Sequence, residues 1–440
     1  MVVLDPDAVG QYLLENAECE MDGDNRDFLV LGLGRTESFA KGVAGSETTV
    51  RSLAEVAAHN VDLIAVLSPA VRGLMAEAGE YILSEFSGDG STVVFLLPWR
   101  RAPVLNMRND GVAYSFVCTA GLFRMILRAH PECKLHQLCF RILAAIANGR
   151  LEVDRILVRQ LPHQSIPPAA PAPDGAVIMA HRGNRVHLVT ALHYLRKTPG
   201  MKLSVRVGLD VDDQREYEYL VDEFPEVEFY YAQPAPVGPY VIREELAARS
   251  REPMIVFHDS DDISCADRLG TLYSAMLGTD CDLIGSHELK VDEINESVGC
   301  FRFPLDVTYA LKNDVGHTLQ HPTSMVKSDS FRAVGGFSTD QRLANDSQFL
   351  LRAFFNLRIS NADAIVYIRR RHPQALTVAP ETGMHTPLRR RLGASWSNDF
   401  KAVQNGALKL EESSLRRISG SGSYTFQKLG PAARTAFSNA

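Results

Sequence analysis

The sequence predicts an α/β protein, with a mostly parallel, Rossmann-like sheet in the C-terminal half and a second α/β module before it. Three observations predict this. From Gly175 onward, short apolar runs alternate with amphipathic stretches, the pattern of βαβ units. Two of these runs end in carboxylates, Asp210 and Asp259, and open α/β sheets bind ligands at the C-terminal strand edge. A proline-dense stretch, residues 166–175, precedes this half and favours extended chain over helix or central strand.

The expected organisation is an N-terminal module (1–165), a linker (166–175), a catalytic domain (176–395) and a helical or loosely packed extension (396–440) that contains Ser419-Gly420-Ser421-Gly422-Ser423. In the first module, strands are expected at 27–32, 61–67 and 91–97, with helical stretches between them. Gly32-Leu33-Gly34-Arg35 lacks the third glycine of a dinucleotide loop. In the second half a strand over 175–180 leads through the turn His181-Arg182-Gly183-Asn184-Arg185 into a helix. That helix carries apolar residues at Val186, Leu188, Val189, Leu192 and Leu195. Further strands are expected at 203–209, 227–231, 254–257 and 364–368, with helices near 241–250 and 345–355. Asn345 or Asp346 is the expected N-cap or first turn of the last helix.

Composition excludes several classes. The 440 residues are 45% hydrophobic and carry a net charge of −7, which argues against nucleic acid as the main partner. No apolar run approaches the ~18 residues of a membrane span. The start, Met1 to Asp7, lacks the basic and apolar regions of a signal peptide. Seven dispersed cysteines without a Cys-x-x-Cys pair fit a reducing compartment and argue against zinc or a disulfide framework. A cytoplasmic location is expected, with room for peripheral attachment at an inner membrane.

The densest chemistry follows Met254-Ile255-Val256-Phe257, where His258-Asp259-Ser260-Asp261-Asp262 places three acids within four positions. Clustered carboxylates repel unless a cation lies between them, and hard oxygen ligands suit Mn²⁺ or Mg²⁺ bridging to phosphates. The alternative is a solvated turn, since Asp and Ser favour turns.

Taken in order, these motifs resemble those of family-two-type inverting glycosyltransferases of the GT-A fold, over roughly 175–390. The strand–turn–helix start (Val177 to Asn184), the acid after the second strand (Asp210), the Asp-x-Asp signature (Asp259-Ser260-Asp261) and Gly335-Gly336-Phe337 followed by Asp346 carry the likeness. Gly238-Pro239-Tyr240-Val241-Ile242-Arg243 matches the family's Gly…Arg stretch. The first turn and Leu209-Asp210-Val211-Asp212-Asp213 depart from the usual wording.

The resemblance implies a nucleotide-diphosphate sugar as donor. The acceptor would be a hydroxyl on a glycan, a lipid-linked or another molecule, in bacterial polysaccharide synthesis. It assigns Ala180, His181, Asn184, Asp210, Arg243, Asp259, Ser260, Asp261, Gly335 and Gly336 to the donor. It assigns Asp259, Asp261 and His372 to the metal, and Asp346 to the general base. His385, and the arginine runs 369–371 and 389–391, are candidates for metal or diphosphate contacts, against a solvated basic face. Asp346 as a helix cap alone is the bland alternative. At the level of function, the alternatives are a sugar-nucleotide nucleotidyltransferase and a non-catalytic sugar-nucleotide-binding protein.

Laid on each other at one constant offset, the two halves match Phe140 with Phe349, Ala144 with Ala353, Asp154 with Asp363, Ile156 with Ile365 and His163 with His372. Gln137 then stands where Asp346 stands, and the strand that would correspond to the metal strand ends in Leu67-Ser68-Pro69-Ala70, without acids. The first half would then be a GT-A-like module without the chemistry; the alternative is an unrelated α/β accessory domain.

Overall fold

The structure, a computed structural model, describes residues 29–33, 63–67, 71, 85–86, 91–130, 133, 135–161 and 172–430. Apart from residues 172–175, the expected proline linker lies outside them, as do Ser68-Pro69-Ala70 and His163. Among the described residues no helix is long and apolar enough to cross a membrane.

The N-terminal half supplies β1 (Leu29–Leu33), β2 (Leu63–Leu67), β3 (Thr92–Pro98), β4 (Arg108–Val112), β5 (Ser115–Thr119) and β6 (Arg155–Leu161). All but β4 form one sheet in the order β1-β2-β5-β3-β6. The C-terminal half supplies β7 (Gly175–His181), β8 (Leu203–Leu209), β9 (Val227–Gln233), β10 (Met254–Phe257) and β11 (Ile263–Ser264). It continues with β12 (Leu283–Asp292), β13 (Ser297–Arg302), β14 (Met325–Lys327), β15 (Ile359–Arg371) and β16 (Thr425–Lys428). Their sheet runs β11-β15-β12-β14-β10-β7-β8-β9-β16, with β13 on β12 and β4 crossing from the other half onto β13.

The expectation of a mostly parallel sheet needs correction. Strands β10, β7, β8 and β9 form a parallel block. β14 returns antiparallel between β10 and β12, and β16 closes the far edge antiparallel to β9. The sheet is therefore mixed. Its parallel block still brings His181, Asp210 and the residues after Phe257 to one edge, because parallel strands end together.

Three boundaries also differ. β15 continues through Arg371, so the first arginine run is strand rather than loop. Helix Pro387–Gln404 runs straight across residue 395. The Gly/Ser stretch is not loose: Gly420 N donates to Thr339 Oγ1 at 2.8 Å, and β16 follows it. Unpaired edge groups of β9 reward that docking with backbone hydrogen bonds.

The halves do not hang on a hinge. One apolar core runs through both, joining Phe95, Phe116 and Ile142 to Val177, Leu192 and Met254. Arg159 pairs with Asp267 at 2.7 Å across the same junction. The halves also share topology. In each, two antiparallel pairings and then a parallel one link four strands: β2-β5-β3-β6 in the first, β10-β14-β12-β15 in the second. In both sets the chain visits the strands in the same order, with a helix before the last (Leu135–Ala147 and Asn345–Ala353).

Candidate active site

At the end of β10 the chain turns sharply. Asp262 N donates back to Asp259 O at 3.2 Å. This turn gathers the carboxylates of Asp259, Asp261 and Asp262 so that one oxygen of each lies within 4.8 Å of the others. Asp259 pairs with Arg243. Asp261 Oδ2 lies 2.9 Å from His372 Nε2. Asp262 Oδ1 accepts from Arg370 N at 2.8 Å, while its Oδ2 is buried without a partner. Burial, then the charges of Asp261 and Asp259, push the Asp262 carboxyl well up. Burial likewise raises Asp259, against the pull of Arg243. Asp261 moves the other way: burial opposes ionisation, but the His372 hydrogen bond and charge hold it down. An orphaned acidic oxygen inside a crowded acid cluster fits a hard divalent cation.

Beneath the cluster lies Arg268, fully buried. It donates to Phe257 O at 2.7 Å and Pro322 O at 2.8 Å, and its guanidinium sits 4.6 Å from the Tyr367 ring centre. It offsets acid charge from below while tying β10 to the segment before β14.

His181 is the last residue of β7 rather than the first of a turn. Its Nδ1 lies 2.9 Å from Ser260 Oγ, and its Nε2 lies 3.3 Å from the Tyr217 hydroxyl. Tyr217 itself donates to Gly183 O at 3.2 Å. Consistent donor directions put the proton on Nε2 and let Ser260 donate to Nδ1. Burial pushes this ring down to about 4, so it is neutral. Ala180, half-buried, precedes it in β7. Asn184 caps helix Arg185–Arg196, its side chain accepting from Val186 N at 2.9 Å.

Asp210 has a structural task in addition to the expected one. Both its oxygens accept backbone N–H groups, from Val237 at 2.7 Å and Gly238 at 2.9 Å. This carboxylate is buried and spans the turn into helix Pro239–Arg249. The open recess at this edge, 330 Å³, is lined instead by Arg182, Asp212, Asp213 and Tyr217 among others.

Gly335 and Gly336 also differ from expectation. Both have positive φ, +83° and +64°, and terminate helix Ser328–Ala333. What approaches the Gly336 backbone is the Glu244 carboxylate, which any Cβ there would strike. The turn aims Phe337 inward, where it is fully buried. Its ring centre lies 5.5 Å from those of Phe257 and Tyr240, 5.2 Å from His321 and 5.0 Å from Phe349. Phe337 thus fixes β10 relative to helix Asn345–Ala353.

Asp346 lies in the first turn of that helix without capping it; the cap position is Ala344, at φ +62°. Its Oδ1 accepts the Tyr240 hydroxyl at 2.7 Å. Burial pushes the Asp346 carboxyl up, but the Tyr240 hydrogen bond and the Arg243 charge, with the His321 ring beside it, hold it below its ordinary value. Tyr240 and Arg243 are one turn apart on helix Pro239–Arg249, so a single helix face grips both Asp346 and Asp259. Beside Asp346 opens a pocket of 220 Å³, with Trp396 and Phe349 as apolar walls and His321, Ser324 and Ser347 as polar ones. His321 is buried, and its Nε2 has no partner.

The first arginine run is paired within the protein rather than spread over a solvated face. Arg369 pairs with Glu288, Arg370 with Glu293 and Arg371 with Asp292, at 2.7, 2.5 and 2.8 Å. In the second run Arg389 Nε donates to Thr382 O at 2.5 Å and Arg390 Nη2 to His385 O at 2.8 Å. His385 is exposed. Tyr240, His321, Arg268 and the buried His187 beside His372 escape the sequence reading. Tyr240 alone carried a signal, its i, i+3 spacing from Arg243.

No family model matches the chain, and no curated protein matches it. Among solved structures it is similar to a 1–349 fragment of S. aureus TarS in complex with UDP-GlcNAc. That match has 16% identity and a TM-score of 0.39, and covers 54% of this chain and 77% of that one. The same fragment in complex with UDP gives 16% identity and a TM-score of 0.38, covering 54% and 73%.

Proposed function

We propose that the chain is a metal-dependent inverting glycosyltransferase that uses a nucleotide-diphosphate sugar. The observation that carries this is the single helix face on which Arg243 holds Asp259 and Tyr240 holds Asp346. It sets a cation-binding acid cluster against one separate, ionised carboxylate at the mouth of a pocket. A group transfer with a diphosphate leaving group needs that division of labour.

Asp259, Asp261 and Asp262, with His372 beside Asp261, would hold Mn²⁺ or Mg²⁺, which neutralises the charge of the departing diphosphate. The nucleoside is assigned to the recess of Arg182, Asp212 and Tyr217. The acceptor hydroxyl enters the 220 Å³ pocket. Because Tyr240 occupies Oδ1 of Asp346, Oδ2 is left to take the acceptor proton. The hydroxyl oxygen bonds the anomeric carbon as the bond from that carbon to the phosphate oxygen breaks, and the electron pair leaves with the diphosphate. One displacement inverts the anomeric centre, by the logic of single-step glycoside hydrolysis with an alcohol in place of water. His321 Nε2 faces the same pocket as a hydrogen-bond partner for a second acceptor hydroxyl.

The test incubates the protein with Mn²⁺ and a panel of sugar nucleotides and measures nucleoside diphosphate release. Release that disappears in Asp261→Ala and in Asp346→Ala supports the reading. Pyrophosphate exchange, or binding without turnover across donors and acceptors, refutes it.

A further inference from the structure

The N-terminal half has no acids gathered at an equivalent strand end among its described residues, yet it reaches the candidate active site. Its arm between β3 and β5 leaves its own sheet, and β4 within it joins the other sheet by pairing with β13. The root of the arm is anchored by Arg302, which is almost fully buried and pairs with Asp110. Trp99 Nε1 adds a bond to Asp363 Oδ2 at 3.2 Å. The tip then grips one segment of the catalytic half. Asn106 Nδ2 donates to Asp314 Oδ2 at 2.7 Å, and Met107 N donates to His317 O at 2.9 Å. Gly316 lies so close that any side chain there would run into the Asn106 amide.

The gripped segment matters because it is one wall of the pocket beside Asp346: Val315, Gly316, His317, Leu319 and His321 all line it. Residues 314–320 form neither helix nor strand. A segment without its own ladder takes its shape from whatever holds it. Here the holders are Asn361, whose Nδ2 donates to Thr318 O at 2.9 Å on one side, and the arm on the other.

We propose that the arm Trp99–Val112 is a positioning element that sets the outer wall of the acceptor pocket, so that the N-terminal half governs acceptor fit while the C-terminal half handles the donor. The acceptor part of this rests on the transferase reading above; the mechanical part does not. Asn106 touches no reacting group and acts through the 314–321 wall.

The experiment uses the full chain with three variants: Asn106→Ala, Asn106→Asp, and Asn106→Asp combined with Asp314→Asn. The first removes the hydrogen bond, the second sets two carboxylates against each other, and the third rebuilds the bond with its ends exchanged. Amide hydrogen exchange over 314–321 should quicken in the first two and recover in the third. Acceptor KM should rise about 3–10-fold in Asn106→Ala, the worth of one hydrogen bond, and more in Asn106→Asp. It should return toward wild type in the pair. The affinity for the nucleotide-sugar donor, and donor hydrolysis without acceptor, should stay within about twofold. Unchanged exchange overturns the proposal, as does donor affinity falling in step with acceptor KM. If the wild type turns over no donor, the transferase reading fails and takes the acceptor assignment with it; unchanged exchange with normal turnover sinks the arm alone.

Discussion

The Tyr240 hydroxyl donates to Asp346 Oδ1 at 2.7 Å, joining a residue of the helix that grips the acid cluster to the acid proposed as base. The bond helps hold the Asp346 carboxyl below its ordinary value. Tyr240→Phe keeps the buried ring and deletes only this bond. Hydrogen bonds to charged groups are worth about 1.5–3 kcal/mol, so kcat should fall about 10–100-fold, with donor affinity little changed. Losing the bond raises the Asp346 pKa, and only the ionised form accepts a proton. The acidic limb of the kcat–pH profile should therefore move to higher pH. A profile that stays in place argues that Tyr240 merely packs.

Asp262 Oδ2, buried and without a partner, predicts a metal effect on stability that needs no turnover. A cation that binds only the folded chain stabilises it by about 2.7 kcal/mol at a hundredfold excess over Kd. Mn²⁺ should raise the melting temperature of the wild type, and a chelator should reverse the gain. Asp261→Ala should abolish it. An equal rise in that variant would place the ion elsewhere.

Phe337 touches no proposed substrate, yet its ring meets those of Phe257, Tyr240, His321 and Phe349. Phe337→Ala should cost about 3–5 kcal/mol of unfolding free energy in urea titrations, the usual range for deleting a fully buried ring. A loss below about 1 kcal/mol would mean the surrounding rings repack, and that Phe337 does not fix the two elements.

Much of this arrangement was legible in the sequence, and the failures have physical reasons. The parallel block was legible because buried parallel strands are nearly continuous apolar runs, such as Met254-Ile255-Val256-Phe257. The acid cluster was legible because its members are neighbours in the chain. The pairing of Arg369, Arg370 and Arg371 was not legible, since their partners Glu288, Glu293 and Asp292 lie on or just after β12, far away in sequence. Asp210 shows a related limit. An acid at a strand end looks the same in sequence whether or not it also holds a turn, as Asp210 does through the backbone of Val237 and Gly238. β5 and β14 went unread because short strands are hard to separate from loop by pattern alone. The pairing of Tyr240 with Asp346 spans 106 positions, and no local pattern announces it.

Four buried histidines make stability itself a readout of the site. Burial pushes His181 down to about 4, and His187, His258 and His321 to about 3. In the unfolded chain each would titrate near 6.5. Each ring is thus neutral when folded and gains a proton on unfolding as pH drops below about 6.5. The stability they contribute is complete above that value and is lost progressively toward pH 3–4. Asp262, Asp259 and Glu244, all raised by burial, work in the opposite direction, three groups against these four. Between pH 7 and 5 the folded state should lose stability on acidification, at up to about 1.4 kcal/mol per pH unit for each net proton taken up. Urea midpoints at pH 7, 6 and 5 measure this. His258→Gln, which removes one ring whose Nε2 lies 3.1 Å from Ser264 Oγ, should make the dependence shallower. A midpoint that is flat or rises on acidification would mean that these rings are already charged in the folded protein, and the neutral Nε2 assigned to His321 in the acceptor pocket would have to be withdrawn.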